Sequence, residues 1–480
     1  MKCAISFLAY ATFVSWAIAL TQSTEAATQT HIVRDVAIVG GGAAGTYAAV
    51  RLRKDYNISV ILIETDDHLG GHVNTFFDPA SGVAIDYGVQ AYLRYGNSKA
   101  FFDRFNIVTT VFAQPSRNNT YVDITTGRPL ESYTAPSFPA VLAAMQSWAD
   151  LISKYDSLVL PGLWNFPTGN AIPEELLTPF GQIAERYNLS AAVPTIASIS
   201  NVGVGGIDNI LTLYVMQAFG TPVVQDFLAS ALFVPVNGSN SLLYQRAQSL
   251  LSSDLLLSSQ VESAKRDDSG VALTINKTFG TKYITAKQLL FTPPPSLDKL
   301  TAFGLDATEI GVLSTWTPTW SFAGVVYLPG LPEGNTVNFY APAANGSHYR
   351  AIRDSSTTFT LSSTGPPGSH LFRVLFASNT SISNDEAKQV ISDDIDKLCS
   401  SGTFPGIAGQ SSVEFKAFVD HNSILSRQSP EKLKDGFMHD LLALQGRRRT
   451  YFTGGLWTED YTGTVWAFTD SLLPRLSANF

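Results

Sequence analysis

The chain has little cysteine, little methionine and little charge. Only 2 of its 480 residues are cysteine and 4 are methionine. Two cysteines exclude a disulfide scaffold and a multi-cysteine zinc site. Charged residues make up 15% of the chain, and the formal net charge is −8. No basic tract is present beyond Arg447-Arg448-Arg449, so a nucleic-acid partner is not expected. Past the first twenty residues no stretch is long and apolar enough to span a bilayer. Repeats and low-complexity tracts are lacking too. What is plentiful is apolar material, 45% of the residues, with 29 Phe, 18 Tyr and 7 Trp. That supply of core rules out wholesale disorder. At roughly 100–200 residues per domain the length predicts two or three units.

The chain opens MKCAISFLAYATFVSWAIAL. One lysine precedes an apolar run over 4–20, and Ala17-Ile18-Ala19 has the small-x-small form that signal peptidase accepts. This predicts a signal peptide over 1–19. The alternative is an uncleaved anchor, since the run reaches the lower limit for a spanning helix, about 17 residues. Asn-x-Ser/Thr occurs at Asn57, Asn118, Asn188, Asn237, Asn276, Asn345 and Asn379. Behind a leader this pattern fits a glycosylated protein, secreted or in the secretory-pathway lumen. Asn57 lies just before a predicted buried strand and is the sequon expected to stay bare. Cleavage would remove Cys3 and leave Cys399, whose place on a predicted helix reads as a small buried hydrophobe rather than a reactive thiol.

Val36-Ala37-Ile38-Val39 is an apolar run of strand type, followed by Gly40-Gly41-Gly42-Ala43-Ala44-Gly45 and a segment of helical period. A second buried strand over 58–63 ends at Glu64. Strand, GxGxxG, helix, strand, acid is the order a dinucleotide site needs. Gly40 permits the tight turn, Gly42 lets backbone approach a pyrophosphate, and Gly45 lets helix and strand pack closely. The helix N-terminus, with Ala44 in its first turn, offers N–H groups to phosphates. Glu64 falls about 20 residues on, where a carboxylate takes ribose hydroxyls and disfavours a 2′-phosphate. FAD and NAD both remain open on this motif.

Three further segments separate them. Gly70-Gly71-His72 with Thr75, then Asp86-Tyr87-Gly88-Val89, resembles the stretch of the flavin amine oxidase superfamily that follows the FAD pyrophosphate and passes the flavin. The segment 260–266, a strand with a hairpin partner over 270–276, resembles the return to the FAD domain, with the Val261 backbone near the adenine. Thr450 to Gly455 and a helix from about Thr464 resemble the strand and helix that close the flavin site. There Gly454, Gly455, Thr464 and Val465 would face the isoalloxazine, and the helix dipole would favour the reduced anion. GGGAAGTYAAVRLR, DYGVQAY, GIDN and LQGRRRTYFTGG together are similar to secreted fungal flavoproteins of the beta-cyclopiazonate dehydrogenase type, and in part to polyenoic fatty acid isomerases.

The resemblance covers nearly everything after residue 32. It implies an α/β chain, with a Rossmann-type FAD-binding domain interwoven with an α+β substrate domain. The FAD part would be 32–97, 233–300 and 441–480, and the substrate part 98–232 and 301–440. Helices are predicted over 98–105, 138–155, 173–187, 207–232, 242–256 and 385–399. Strands are predicted over 317–328, 336–340, 359–361, 371–377 and 415–419. The resemblance implies non-covalent FAD, because no cysteine stands before the C-terminal helix, and a small hydrophobic substrate losing hydride from an activated C–H. The absent cysteine is one departure from relatives, and an absent lysine is another. TWSFAGVVYL lacks the lysine that many relatives place near flavin N5. His68 and His72 are four apart but separated by glycines, so no metal pair is expected.

Candidate catalytic residues are Gln90 and Tyr92 after Gly88, Trp457 after the Gly454-Gly455 turn, and His421 at the predicted end of the 415–419 strand. His421 suits a general base titrating near neutrality, against the plainer reading of a structural histidine. Tyr92, Trp457 and Tyr461 offer rings for an amine cage, or for core. The rival functions are a redox-neutral isomerase of an unsaturated lipid and a flavin-binding protein without turnover.

Overall fold

The computed structural model describes residues 30–480 apart from 114, 237–238, 278–279, 411–412 and 479. The expected leader, Cys3 and the sequon at Asn237 lie outside the described residues.

Two large sheets organise the molecule. The first runs in the order Leu255–Leu256, Val60–Ile63, Thr30–Val39, Gly280–Phe291, Gly270–Lys277, Ser259–Asp267, with Thr450–Phe452 added beside the end of Gly280–Phe291. Its centre is parallel. Parallel strands are covered on both faces, which is why Val60–Ile63 is an unbroken apolar run and wholly buried. The helix Ala43–Asp55 and the C-terminal helix Thr462–Ser477 pack together, with Tyr47 stacked on Trp466 at 5.2 Å between centroids. The Trp466 indole N–H donates to the Ala43 carbonyl at 2.9 Å, joining these two helices.

The second sheet runs in the order Glu414–Arg427, Thr317–Tyr327, Leu371–Ser378, Thr357–Thr364, Asn335–Tyr340, Asn118–Asp123. It is antiparallel except for its last pair. Side chains alternate across it with period two. Phe322 and Val326 join the core under the helix Asn384–Ser400, while Ala323 and Val325 face Ile85 and Tyr87 on the other side. That helix begins with reciprocal capping between Ser383 and Glu386. Cys399 is buried in the same core, and burial pushes its thiol pKa up. It is a hydrophobe, as expected.

Several boundaries differ from expectation. The 242–256 helix stops at Leu251, and Leu255–Leu256 pairs beside Val60–Ile63 instead. The 173–187 helix is two, Glu174–Leu177 and Phe180–Arg186, because Pro179 lacks the N–H that would continue the ladder. The 207–232 helix is also divided, into Thr212–Ala218 and Thr221–Leu228. Gly220 lies at the break, where a Cβ would come within 1.9 Å of the Glu459 carboxylate. The helix Val193–Ser200 was not expected. The strand expected to end near 419 continues to Arg427, which places His421 inside it.

Asn57, Asn118, Asn188, Asn276, Asn345 and Asn379 are all exposed, including Asn57, the one expected to stay bare. Among the described residues no helix is long and apolar enough to cross a membrane.

Candidate active site

One cavity of roughly 2620 Å³ runs between the two sheets. Ligand pockets are typically about 300–1,000 Å³, so this space is large enough for a dinucleotide and a second molecule together.

At one end lies the glycine turn. Gly40 has φ +97°, and a Cβ on Gly45 would stand 1.9 Å from the Gly40 carbonyl oxygen. Only glycine at both positions allows the strand to enter the helix so sharply. No side chain caps the helix, whose N-cap is Gly42, so its first N–H groups are left for an anion. Gly71 brings the next loop against this turn: its Cβ would lie 2.8 Å from Gly42 Cα. The floor is bare backbone. Glu64 borders it, with Oε2 accepting the Gly41 N–H and Oε1 accepting the Asp66 N–H at 2.8 Å and the Thr65 hydroxyl at 2.9 Å. Bare floor, uncapped helix and a fixed carboxylate fit the pyrophosphate and ribose of FAD.

The cavity brings together Gly40, Gly42, Ala44, Glu64, Gly71, His72, Gly88, Val89, Gln90, Val261, His421, Gly454, Gly455, Trp457 and Val465. Gly45, Thr75, Tyr92 and Thr464 do not line it. Gly45 packs under the turn. The Thr75 hydroxyl donates to Asp86 Oδ1 at 2.6 Å. Thr464 is buried in the first turn of a helix that starts two residues earlier, at Thr462, its hydroxyl 2.6 Å from the Glu459 carbonyl oxygen. Tyr92 is 1% exposed and packs on Phe102 and Phe233. The three-ring cage is therefore not assembled. Trp457 is stacked with Phe452 and Phe468, and the Tyr461 hydroxyl donates to the Ala218 carbonyl at 2.9 Å.

The segment from Asp86 to Gln90 forms the middle wall, and side chains hold it from three directions. Asn240 donates its Nδ2–H to the Val89 carbonyl and its backbone N–H to Asp86 Oδ2. Gln90 Nε2 donates to the Asp86 carbonyl at 2.7 Å. Arg373 donates from Nε to the Tyr87 carbonyl at 2.7 Å and from Nη2 to the Gly88 carbonyl at 3.2 Å. Burial raises the Asp86 carboxyl pKa and lowers that of Arg373 to about 10.

His421 and His72 stack at 4.5 Å between centroids, 21° from parallel. The His72 ring bonds the His421 backbone, and His421 Nε2 lies 2.9 Å from Asn74 Oδ1. Burial, then His72, then Arg373 push the His421 pKa well below the usual range. It does not titrate near neutrality, which corrects that expectation. Burial lowers His72 as well, against the opposing pull of Asp460.

Asn74, Asn240, Arg373 and Asp460 were missed from sequence. Only Arg373 carried a signal, a single charge inside the apolar run LFRVLFA. The far wall is apolar, built from Phe138 and Val141 on one helix and Val223 and Phe227 on another.

Comparison with known proteins agrees with this geometry. Residues 38–105 match the model of the NAD(P)-binding Rossmann-like domain. The chain is 36% identical to an FAD-dependent oxidoreductase of Emericella nidulans over 94% of this chain and 92% of that protein. It is 30% identical to the beta-cyclopiazonate dehydrogenase of Aspergillus oryzae over 93% and 94%. Among solved structures, the CLA-producing fatty acid isomerase from P. acnes aligns with TM-score 0.70 at 18% identity, covering 92% of this chain and 98% of that one. A putrescine oxidase triple mutant aligns with TM-score 0.61 at 16% identity, covering 94% and 99%.

Proposed function

The chain belongs to the FAD-dependent oxidoreductases, and from that premise we propose that it removes hydride from an activated C–H bond of a small hydrophobic metabolite. Bound FAD, held non-covalently, supplies the hydride acceptor. Gly40, Gly42, Ala44 and Gly71 receive its pyrophosphate, Glu64 its ribose, and the Val261 backbone its adenine. Gly88, Val89, Gly454, Gly455 and Val465 flank the flavin. Residues 32–97, 233–300 and 441–480 are the FAD part, and 98–232 with 301–440 the substrate part. Gln90 keeps the flavin-side wall in place. His421, with Nε2 turned to Asn74 Oδ1, is held neutral and is a weak base, so its part is to orient the substrate by hydrogen bonding rather than to take a proton.

The observation that carries this reading is the single cavity joining the glycine cradle to the apolar wall. The test is anaerobic mixing of the holoprotein with a panel of hydrophobic metabolites. Loss of the oxidised flavin band with a product two hydrogens lighter supports it. A second reading, a redox-neutral isomerase, is favoured by the strand Thr317–Tyr327, which carries no lysine to assist oxygen reduction. A product of unchanged mass, with no peroxide in air, would establish that reading instead. The exposed sequons support a secreted, glycosylated product with the leader 1–19 removed. Glycosidase treatment should lower its apparent mass, and Edman sequencing should start after residue 19.

A further inference from the structure

Two arginines of the cavity wall lack an anion. Arg117 precedes the strand Asn118–Asp123, and Arg373 lies within Leu371–Ser378. The sheet brings them together: Arg117 Nε donates to the Ser363 carbonyl at 2.9 Å, and the neighbouring Ser362 is the register partner of Arg373. Both line the cavity. Arg373 has committed Nε and Nη2 to the Tyr87 and Gly88 carbonyls. Among the described residues no protein acceptor meets its Nη1 or either Nη of Arg117, and no carboxylate is near enough to perturb either guanidinium. Burial lowers both pKa values, and the Arg117 charge lowers that of Arg373 further.

A cation withdrawn from water is costly unless it is paired, and two like cations side by side are worse. Both side chains are only part-buried, and the N–H groups they leave unused open on the cavity, so the wall there is electropositive and has donors for an anion. We propose that Arg117 and Arg373 form an anion subsite for the substrate, taking a carboxylate or the enolate of a 1,3-dicarbonyl. Either group offers two coplanar oxygens, which match the fork of a guanidinium. The FAD pyrophosphate does not fill this role, because its cradle is the separate turn Gly40–Gly42. Anchoring at Arg373 places the acidic end beside Gly88 and His421 and leaves the apolar wall of Val141, Val223 and Phe227 for the remainder of the molecule. The subsite rests on the reading that substrate shares this cavity with the cofactor, but it does not require turnover.

The test is equilibrium binding to the FAD-loaded protein at pH 7 and low salt, read from the shift of the flavin absorption band. The probes are decanoate, its neutral partner decanamide, and dehydroacetate as a stable enolate. The native protein should bind decanoate or dehydroacetate about tenfold or more tighter than decanamide, the range of a hydrogen bond to a charged group. Preference for decanoate identifies the carboxylate source, and preference for dehydroacetate the enolate. Arg117→Gln should lose the preference with FAD content unchanged, and Arg117→Lys should keep part of it. Equal binding of decanoate and decanamide, failure of both anions to bind, or an Arg117→Gln protein with native preference would overturn the proposal. So would an Arg117→Gln protein that loses FAD, since the pair would then serve the cofactor. A holoprotein that binds the anion while no metabolite bleaches its flavin would sink only the catalytic reading.

Discussion

Replacing Glu64 by alanine should weaken FAD binding about 10- to 150-fold. The carboxylate is oriented before the cofactor arrives: Oε2 accepts the Gly41 N–H, and Oε1 accepts the Asp66 N–H and the Thr65 hydroxyl. Little side-chain freedom is left to lose when ribose hydroxyls reach it. Hydrogen bonds to a charged acceptor contribute about 1.5–3 kcal/mol, and each 1.4 kcal/mol is about tenfold in affinity, which sets the range. Glu64→Gln should fall between alanine and native. Glutamine has one amide oxygen, so its NH₂ must face either the Gly41 N–H or the Thr65–Asp66 donors, and one end of the present arrangement is lost. The assay is titration of apoprotein with FAD, followed by quenching of flavin fluorescence, with far-UV circular dichroism to confirm the fold. FAD affinity within about twofold of native for both variants, against the range expected from charged hydrogen bonds, would falsify the assignment of Glu64 to the ribose.

Gly45→Ala should abolish FAD retention or soluble expression, because its Cβ would lie 1.9 Å from backbone at Gly40; a soluble yellow variant would mean that the turn relaxes. Glu309→Ala should destabilise the protein by about 3–5 kcal/mol, the cost of leaving a buried partner unpaired. Arg266 is 2% exposed and its two Nη groups hold the Glu309 oxygens at 2.9 and 3.0 Å. A clear drop in melting temperature is expected, and an unchanged melting curve would refute the estimate. His421 is neutral when folded and titrates near 6.5 when unfolded. The unfolded chain then binds more protons below pH ~6.5, so stability should fall as pH drops through that value and level off above it. His421→Phe should flatten this slope, as followed by urea unfolding from pH 5 to 8. A native-like slope in the variant would assign the acid sensitivity elsewhere. The rate of flavin reduction should likewise show no limb near pH 6.5 that disappears with His421.

The cradle was legible because its determinants are local. Gly40, Gly42, Gly45 and Glu64 lie within one strand–helix–strand unit, and each is demanded by backbone geometry or by one contact. The strands of the second sheet were legible for a similar reason, since alternation along Thr317–Tyr327 follows from the two faces of a sheet. The helices of the middle region were read too long. Their interruptions depend on a proline N–H and on room for the Glu459 side chain from a distant loop.

What the sequence determined by itself was the α/β class, the dinucleotide turn and the family. These rest on short-range patterns of glycine, apolar residues and one acid, whose meaning does not depend on the rest of the chain. Tertiary structure alone decided the substrate side. Tyr92 looked available but is sealed in the core, because the bridge to Phe233 turns it inward. His421 looked titratable but is held neutral by burial, by His72 and by Arg373, two groups from parts of the chain far from it in sequence. Arg117 and Arg373 are 256 positions apart in number and two strands lie between theirs, yet both side chains meet the cavity near Ser362 and Ser363 of the strand Thr357–Thr364, where the charge of one is felt by the other. The charge state of a buried group depends on what surrounds it, and only the fold decides which groups those are.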